Sequence, residues 1–259
     1  MGAASERPLL SVRGVSKRFG YVDALRDVDL DVPSGCVTAV LGDNGAGKST
    51  LLKIVSGVLQ PDSGEIRFDS HRVSFSSPRA ANDLGIQAVY QDLALCDNLS
   101  ILLNIFLGRE RRLVRIPWLG GLLAFDRMQD EAARFLAELA IELPPLSTEV
   151  GSLSGGQRQA VAIARALLWG SRLVLLDEPS AALGSAQTDR LRRLIRTLRD
   201  QGVGVLLITH NLVEAFLVAD RFVIMRRGRI AATLDAGRVS SQDVLDAMTG
   251  DPGDVRDLQ

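Results

Sequence analysis

The feature that most constrains this chain is the run from Gly42 to Thr50, which fits the pattern G-x-x-x-x-G-K-[ST] without a mismatch. Residues 36–41 before it are apolar and rich in β-branched side chains, which is typical of a buried strand. Residues 51–55 after it place apolar side chains at helical spacing. Because this pattern binds phosphate when it joins a strand to a helix, we predict a phosphate-binding loop rather than a turn that merely starts a helix.

The residue types of this loop suit a phosphate chain. Its glycines allow backbone conformations that a Cβ atom forbids, so that successive N–H groups can point at a β-phosphate from a helix N-terminus. Lys48 is then expected to reach the β- and γ-phosphates, and the Ser49 hydroxyl to bind Mg²⁺. The loop residues predicted to contact a nucleotide are Gly42, Asn44, Gly45, Ala46, Gly47, Lys48, Ser49 and Thr50.

Composition narrows the classes of partner. The chain has 259 residues and is 46% hydrophobic, which is enough for a large α/β core. Its 30 basic and 31 acidic residues leave a net charge of −1, so nucleic acid is not expected as a partner. No apolar run reaches the roughly 20 residues that cross a bilayer, and Met1–Leu10 does not resemble a signal peptide, so we expect a cytosolic protein. Cys36 and Cys96 stand alone and are predicted to be reduced structural thiols.

Two aromatic residues precede the phosphate loop, in the connection between strands predicted at Leu9–Val15 and Val28–Val32. Either Phe19 or Tyr21 can stack on a base bound near the phosphates, and either can instead pack under the hairpin. The position upstream of the phosphate loop favours Phe19 as the stacking residue.

A strand predicted at residues 86–90 ends at Gln91. Open α/β sheets place ligand-contacting groups where a strand gives way to a loop. The Gln91 amide can there contact Mg²⁺-bound water or orient a nucleophile, and the alternative is an ordinary solvated side chain.

From Leu93 to about Gly170 the apolar spacing becomes helical, with helices predicted at residues 98–106 and 127–140. Between them, Arg109–Leu123 is irregular and is predicted to be an insertion loop. Its Trp118 either contacts a partner or packs under the loop.

The run Leu153–Gln157 opens a further helix, predicted at residues 158–169. Ser154 is a natural N-cap, and the paired glycines after it expose N–H groups at the positive end of the helix dipole. Such an end binds anions and suits a γ-phosphate, whether that phosphate is bound by the same chain or by another.

Two later strands end in residues that suit phosphoryl transfer. The apolar strand predicted at residues 172–176 ends in Asp177, which can hold Mg²⁺ through water, and Glu178, which can polarise an attacking water. The alternative for this pair is a helix-capping turn. The strand predicted at residues 203–208 ends at His210, which can donate a hydrogen bond to charge that develops on a γ-phosphate.

Taken in order, these motifs resemble those of the ATPase subunit of an ABC transporter, over nearly the whole chain. The combination of a Walker A motif with LSGGQ is highly specific. The corresponding motifs are the aromatic loop (Phe19), Walker A (Gly42–Thr50), the Q-loop (Gln91), the LSGGQ signature (Leu153–Gln157), Walker B (Asp177 and Glu178) and the switch histidine (His210).

The resemblance implies an α/β P-loop NTPase fold with a RecA-like core, an antiparallel β subdomain and an inserted α-helical subdomain. It implies one ABC ATPase domain, with the core and β subdomain at about 1–91 and 169–259 and the helical subdomain at about 92–168. ATP and Mg²⁺ are the implied cofactors. Two copies would form a head-to-tail dimer, in which the signature of one copy caps the ATP of the other. The implied capping residues are Ser154, Gly155, Gly156 and Gln157.

A narrower resemblance links the chain to the ATP-binding proteins of bacterial monosaccharide importers of the ribose, galactose and fructose type. It rests on the stretches Val89–Leu93, Asn104–Glu110 and Asp177–Leu183. Those importers often fuse two ATPase halves and this chain has one, so a homodimer is implied. One departure is Gly184, where many ABC proteins end the D-loop in Asp.

The function that this resemblance implies is ATP hydrolysis that energises import of a small sugar. Its partners would be a membrane permease, which holds the subunit at the inner face of the cell membrane, and a periplasmic or extracellular sugar-binding protein. An ATPase of an amino-acid importer or of an exporter stays open, as does a soluble ABC ATPase outside transport. The sequence does not name the sugar, because specificity in such systems resides in the binding protein and the permease.

Overall fold

The computed structural model describes residues 7–113, 122–139, 141–168, 170–181 and 183–250. Trp118 and the middle of the predicted insertion loop lie outside the described residues. The chain divides into two compact units. The first comprises Met1–Ala88, Arg172–Glu178 and Ile195–Gln259, and the second comprises Val89–Ser171 and Pro179–Leu194.

Strands and helices alternate along much of the chain, as the sequence predicts for an α/β protein. The strands are β1 (Leu10–Phe19), β2 (Val22–Val32), β3 (Val37–Leu41), β4 (Ser63–Phe68), β5 (His71–Val73), β6 (Ile86–Val89), β7 (Leu173–Asp177), β8 (Gly204–Ile208), β9 (Arg221–Arg226) and β10 (Arg229–Asp235). The helices are α1 (Lys48–Val55), α2 (Pro78–Asp83), α3 (Ile101–Phe106), α4 (Phe125–Glu138), α5 (Gly155–Leu167), α6 (Ser185–Asp200), α7 (Leu212–Val218) and α8 (Ser241–Thr249).

The strands form two sheets. One is antiparallel and four-stranded, in the order β2-β1-β4-β5. The other is six-stranded, in the order β10-β9-β3-β8-β7-β6, with β3 parallel to β8 and β9, and β7 parallel to β8. Because β3, β7 and β8 are parallel neighbours, their carboxyl ends lie at one edge of the sheet, where the phosphate loop, Glu178 and His210 follow.

The central strands are apolar throughout because both faces of the sheet are covered. All five residues of β3 are buried, and so are all five of β8. Such strands give continuous apolar runs rather than an alternating pattern. On one side, Ala39 and Phe222 pack with Ala215 of α7 and Val244 of α8. The predicted α/β core with an antiparallel β subdomain is confirmed.

The second unit has a helical core of its own. Phe106 of α3, Met128 and Leu136 of α4, and Val161 of α5 are buried in one cluster, which Val150 also joins. The buried residues of α4, Met128, Ala132 and Leu136, recur at intervals of four residues, which is the expected pattern for a helix with one face on a core.

Several predicted boundaries were wrong. The predicted loop between β1 and β2 is strand up to Phe19 and again from Val22, because the two strands stay paired through register shifts while polar side chains hide the pattern. The helix predicted from residue 98 begins at Ile101, because Ser100 caps it by accepting a hydrogen bond from the N–H of Leu103. The short elements β5, α2 and α7 were not predicted.

Candidate functional site

The phosphate loop joins β3 to α1 in the first unit. Gly42 and Gly47 have φ angles of 151° and 106°. A Cβ atom on Gly42 would lie 2.2 Å from the carbonyl oxygen of Met225, and one on Gly47 would lie 2.6 Å from that of Ala24. Both positions therefore require glycine, for its conformation and for its small size. Gly47 is the N-cap of α1, so the free N–H groups of the first helical turn face the loop.

Lys48 is the first residue of α1 and is 6% exposed. Its Nζ atom donates hydrogen bonds to the carbonyl oxygens of Gly42, at 2.7 Å, and of Asp43, at 3.0 Å. Burial lowers the pKa of Lys48, while the carboxylates of Glu178, Asp43 and Asp177 oppose that shift. The ammonium group thus lies across the loop, within electrostatic range of the carboxylates of Asp177 and Glu178.

The ends of β7 and β8 bring Glu178 and His210 together. Asp177 lies opposite Ile208 in the ladder, and the N–H of Glu178 donates to the carbonyl oxygen of Ile208 at 2.8 Å. The backbone of Glu178 then turns sharply, with a φ of 46° that is rare for a residue other than glycine. Its Oε1 atom lies 3.0 Å from Nδ1 of His210. The Glu178 side chain is 20% exposed and that of His210 is 63% exposed, so the pair is accessible from solvent.

The carboxyl group of Asp177 is a candidate metal ligand. Burial and the neighbouring charge of Glu178 raise the pKa of Asp177, while Lys48 and Lys53 oppose the rise. The carboxylates of Asp177 and Glu178 repel each other, and the nearby lysines only partly offset that repulsion. A divalent cation, which prefers oxygen ligands, would stabilise both charges. In the described ranges, no three His, Cys, Asp or Glu side chains are grouped to hold a metal.

Phe19 ends β1 and is 47% exposed, while Tyr21 at the tip of the hairpin is 97% exposed and does not pack beneath it. The Nζ atom of Lys17 lies 5.8 Å from the centre of the Phe19 ring and 2.6 Å from Oδ1 of Asp62. The other oxygen of Asp62 accepts from the N–H of Arg18 at 2.7 Å. One carboxylate thus fixes the end of the strand that presents Phe19.

The signature helix α5 begins at Gly155 and belongs to the second unit. The predicted N-cap at Ser154 is confirmed, and it forms a capping box. The N–H of Gln157 donates to Oγ of Ser154 at 3.4 Å, and the N–H of Ser154 donates to Oε1 of Gln157 at 2.9 Å. The N–H groups of Gly155 and Gly156, at the first two positions of the helix, have no partner within it and carry the positive end of the dipole.

Gln91 also belongs to the second unit, and its side chain is exposed. The segment after it is tied to α5, because the guanidinium group of Arg165 donates to the carbonyl oxygens of Leu93, at 2.8 Å, and Ala94, at 2.7 Å. Sequence reasoning missed Arg165, although an arginine within an apolar helical run was a usable signal. It also missed Asp62, which the sequence places only in a turn.

Comparison with known proteins decides the family. The sequence profile described as "ABC transporter" matches residues 25–181. The chain belongs to the ABC transporter family. The xylose/arabinose import ATP-binding protein of Sulfolobus acidocaldarius is 43% identical over 241 residues, which are 93% of this chain and 94% of that protein. The fructose import ATP-binding protein of Rhizobium meliloti is 43% identical over 251 residues, 95% of each chain.

Other relatives are about twice as long. A ribose import ATP-binding protein of Rubrobacter xylanophilus is 42% identical over 245 residues, which are 95% of this chain and 46% of that protein. The predicted resemblance to this group of ABC proteins is therefore confirmed.

Solved cassettes share the fold. An ATP-binding cassette of an ABC transporter in its ADP conformation superposes with a TM-score of 0.78 at 25% identity, covering 94% of this chain and 99% of that one. A dimeric cassette in a post-hydrolysis state with ADP and phosphate gives 0.74 at 26% identity, covering 88% and 98%. The P-loop ATPase fold is confirmed. Among the helices of the described residues, none combines the length and the apolar character needed to span a membrane.

Proposed function

We propose that this chain binds and hydrolyses ATP, and that two copies of it drive the import of a small sugar. The observation that carries the ATPase role is the Glu178–His210 pair at 3.0 Å, on the sheet edge that also carries the phosphate loop. In this proposal Lys48 binds the β- and γ-phosphates and Glu178 polarises the attacking water. His210 donates to the charge that develops on the γ-phosphate, and Gln91 orients the water.

The nucleotide is held by the residues of the phosphate loop and by stacking on Phe19. Mg²⁺ is proposed to be held by the Ser49 hydroxyl, by Asp177 and by Gln91 through water. When bound, the ion neutralises charge on the phosphates. The raised pKa of Asp177 supports this role, because burial and Glu178 leave its carboxylate short of positive charge.

The signature residues are proposed to act on a second copy of the chain in a head-to-tail dimer. The paired glycines at the start of α5 present free N–H groups, and their capping box is already satisfied by Ser154 and Gln157. Those N–H groups therefore stay available for a γ-phosphate that another copy holds. A solved relative of this fold is dimeric, which supports the arrangement.

The sugar class is supported by relatives that are 43% identical over nearly the whole length of both chains and that are named for xylose/arabinose and fructose import. The proposed partners are the permease subunits, which place the chain at the inner face of the cell membrane, and a sugar-binding protein outside it. The proposed organisation is one ABC ATPase domain, with the helical subdomain at about 92–168.

The test is the ATPase rate of the subunit reconstituted in proteoliposomes with the permease and binding protein encoded beside it, across a panel of pentoses, hexoses and polyols. We expect one sugar to stimulate hydrolysis in wild type and not in Lys48→Ala. Hydrolysis that no sugar stimulates, but that an amino acid does, would overturn the sugar assignment and leave the ATPase role standing. No hydrolysis in any preparation that binds ATP would overturn the ATPase role itself.

A further inference from the structure

Gly184 immediately precedes helix α6, whose residues up to Leu194 belong to the second unit. The N–H of Leu183 donates to the carbonyl oxygen of Ser180 at 3.0 Å, which closes a turn just before it. The carbonyl oxygen of Gly184 then accepts two hydrogen bonds from Thr188, one from its N–H and one from its hydroxyl, both at 3.0 Å. These hydrogen bonds hold Ser180, Leu183 and Gly184 at the start of α6, and we call this segment the Gly184 turn.

The side chain of Gln187 lies between two glycines. A Cβ atom on Gly156 would lie 2.4 Å from Cγ and 2.9 Å from Cβ of Gln187, and one on Gly184 would lie 2.8 Å from its Oε1. Neither Gly156 nor Gly184 has a positive φ. Space rather than backbone conformation therefore requires glycine at position 156, where the stem of Gln187 fills the room that a Cβ atom would need. At position 184 a Cβ atom would meet only the mobile end of the Gln187 side chain.

The contact with Gly156 involves the stem of the glutamine and not its amide. The half-buried Gln187 makes no hydrogen bond through its amide within the described part of the chain. Gly156 lies in the first turn of α5, whose N–H groups carry the proposed phosphate contact. The stem of Gln187 packs against the first turn of α5. Because close-packed neighbours transmit displacements, this packing fixes the position of that turn.

We propose that Gln187 is a positioning residue that couples the Gly184 turn to the first turn of the signature helix. It sets the N–H groups of Gly155 and Gly156 where the ATP of a second copy meets them. Many ABC proteins carry an Asp where this chain has Gly184. Here Gln187, in the first turn of α6, supplies the side chain that links this segment to the signature helix. The inference rests on the proposed function, because it assumes that the signature acts across a dimer.

The experiment measures vanadate-trapped ADP in dimers assembled from two differently tagged subunits. Gln187→Ala should lower trapping in its homodimer roughly ten- to a hundredfold, which is the scale of a misplaced site, and leave nucleotide affinity of its own phosphate loop unchanged. Paired with Lys48→Ala, it should regain trapping, because one composite site then has an intact loop and an intact signature. Paired with Ser154→Arg, it should not, because both signatures are then impaired.

The outcomes separate this inference from the proposed function. If the pair of Ser154→Arg with Lys48→Ala recovers trapping, the signature acts across the dimer. If the pair of Gln187→Ala with Lys48→Ala then does not recover it, only the role of Gln187 is overturned. No recovery in either pair would overturn the head-to-tail dimer. The exposed Gln201→Ala serves as the matched control and should trap like wild type.

A merely structural role is tested by the conservative variant. Gln187→Met keeps an unbranched stem and should retain most of the trapping, whereas equal losses in Met and Ala variants would overturn a role for the stem. Gly184→Ser adds a Cβ atom that displaces the Gln187 amide, and its effect should shrink when Gln187 is already Ala. Additive effects of the two substitutions would contradict the coupling.

Discussion

The Nδ1 atom of His210 lies 3.0 Å from the Oε1 atom of Glu178, and the two residues follow neighbouring parallel strands. The backbone of Glu178 has a φ of 46°, a conformation that costs of the order of 1–3 kcal/mol and persists only where its surroundings hold it. Here the hydrogen bond from its N–H to Ile208 does so. The turn directs the carboxylate to the imidazole, away from the course of β7.

Glu178→Gln tests the proposed base. Removing the negative charge while keeping the shape should lower the hydrolysis rate by roughly 10²–10⁴-fold, the usual contribution of general-base help. ATP binding should persist, so the variant should accumulate an ATP-bound dimer that elutes as such in size-exclusion chromatography. Glu138→Gln on the exposed face of α4 is the control. Wild-type rates in Glu178→Gln would remove Glu178 from the mechanism.

His210→Ala tests whether the pair works as a unit. The loss of its hydrogen bond to developing charge should reduce kcat by about 10²-fold or more. Because residues that act together are not additive, the double variant with Glu178→Gln should be hardly slower than the slower single one. The chain's other histidine, His71, provides the matched His→Ala control. Single-turnover rates would show the effect, and strictly multiplicative losses would speak against joint action.

The chemistry of this site was predictable because each motif is local. The phosphate loop, Glu178 and His210 follow strands that are buried on both faces, and Asp177 is the last residue of one of them. Such strands stand out as apolar runs. The carboxyl ends of parallel strands lie on one side of the sheet, so residues that follow such strands are expected there even when the strand order is unknown. The order itself, with β8 between β3 and β7, was not readable from any one segment.

Packing between distant segments was not predictable. The contact of Gln187 with Gly156 joins residues on two different helices, and a half-buried glutamine on an otherwise charged helix gives no signal of its own. The same holds for Asp62, which fixes the end of β1 from the connection between α1 and β4. Single sequences report periodicity and turn chemistry, and they do not report which side chains meet.

Phe19→Ala tests the proposed base stacking. Stacking of a base on an aromatic side chain is worth roughly 1–3 kcal/mol by alanine substitution, so ATP affinity should fall about 5- to 150-fold. Phe19→Trp should restore it. Tyr21→Ala should leave affinity unchanged, since Tyr21 is 97% exposed at the hairpin tip. Fluorescence titration with a labelled ATP analogue decides between them, and a larger loss in Tyr21→Ala would reassign the stacking ring.

Asp177→Asn is expected to stabilise the nucleotide-free chain while it impairs hydrolysis. Burial and Glu178 raise the folded-state pKa of Asp177, so above that pKa its charge destabilises the native state. Removing the charge should therefore raise Tm at pH 7–8 in the presence of a chelator, with a gain of about 0.5–2 kcal/mol. The gain should shrink as the pH falls through the raised folded-state pKa and vanish below about pH 3, where the carboxyl is protonated in both states. A lower Tm at pH 8 would contradict this assignment of the charge.

Asn104 holds the connection before α3 from the inside, and its removal should destabilise the second unit. The residue is fully buried. Its Oδ1 atom accepts from the N–H of Cys96 at 2.8 Å, and its Nδ2 atom donates to the carbonyl oxygens of Cys96, Leu99 and Ser100 at 3.0–3.2 Å. Asn104→Ala would leave the N–H of Cys96 without its partner, whereas the three carbonyl oxygens each keep a hydrogen bond from a backbone N–H. A buried donor left unpaired costs about 1–3 kcal/mol.

The expected result is a loss of roughly 1–3 kcal/mol in the free energy of unfolding and faster hydrogen exchange at the amide of Cys96. Asn104→Asp is the sharper variant, because a carboxylate keeps the shape of the amide but cannot donate a hydrogen bond. Its second oxygen would repel the three carbonyl oxygens that Nδ2 of Asn104 now contacts. The exposed Asn98→Ala, in the same connection, should change neither quantity. If Asn104→Asp exchanged as slowly as wild type at Cys96, the three donated hydrogen bonds would not be what holds this segment in place.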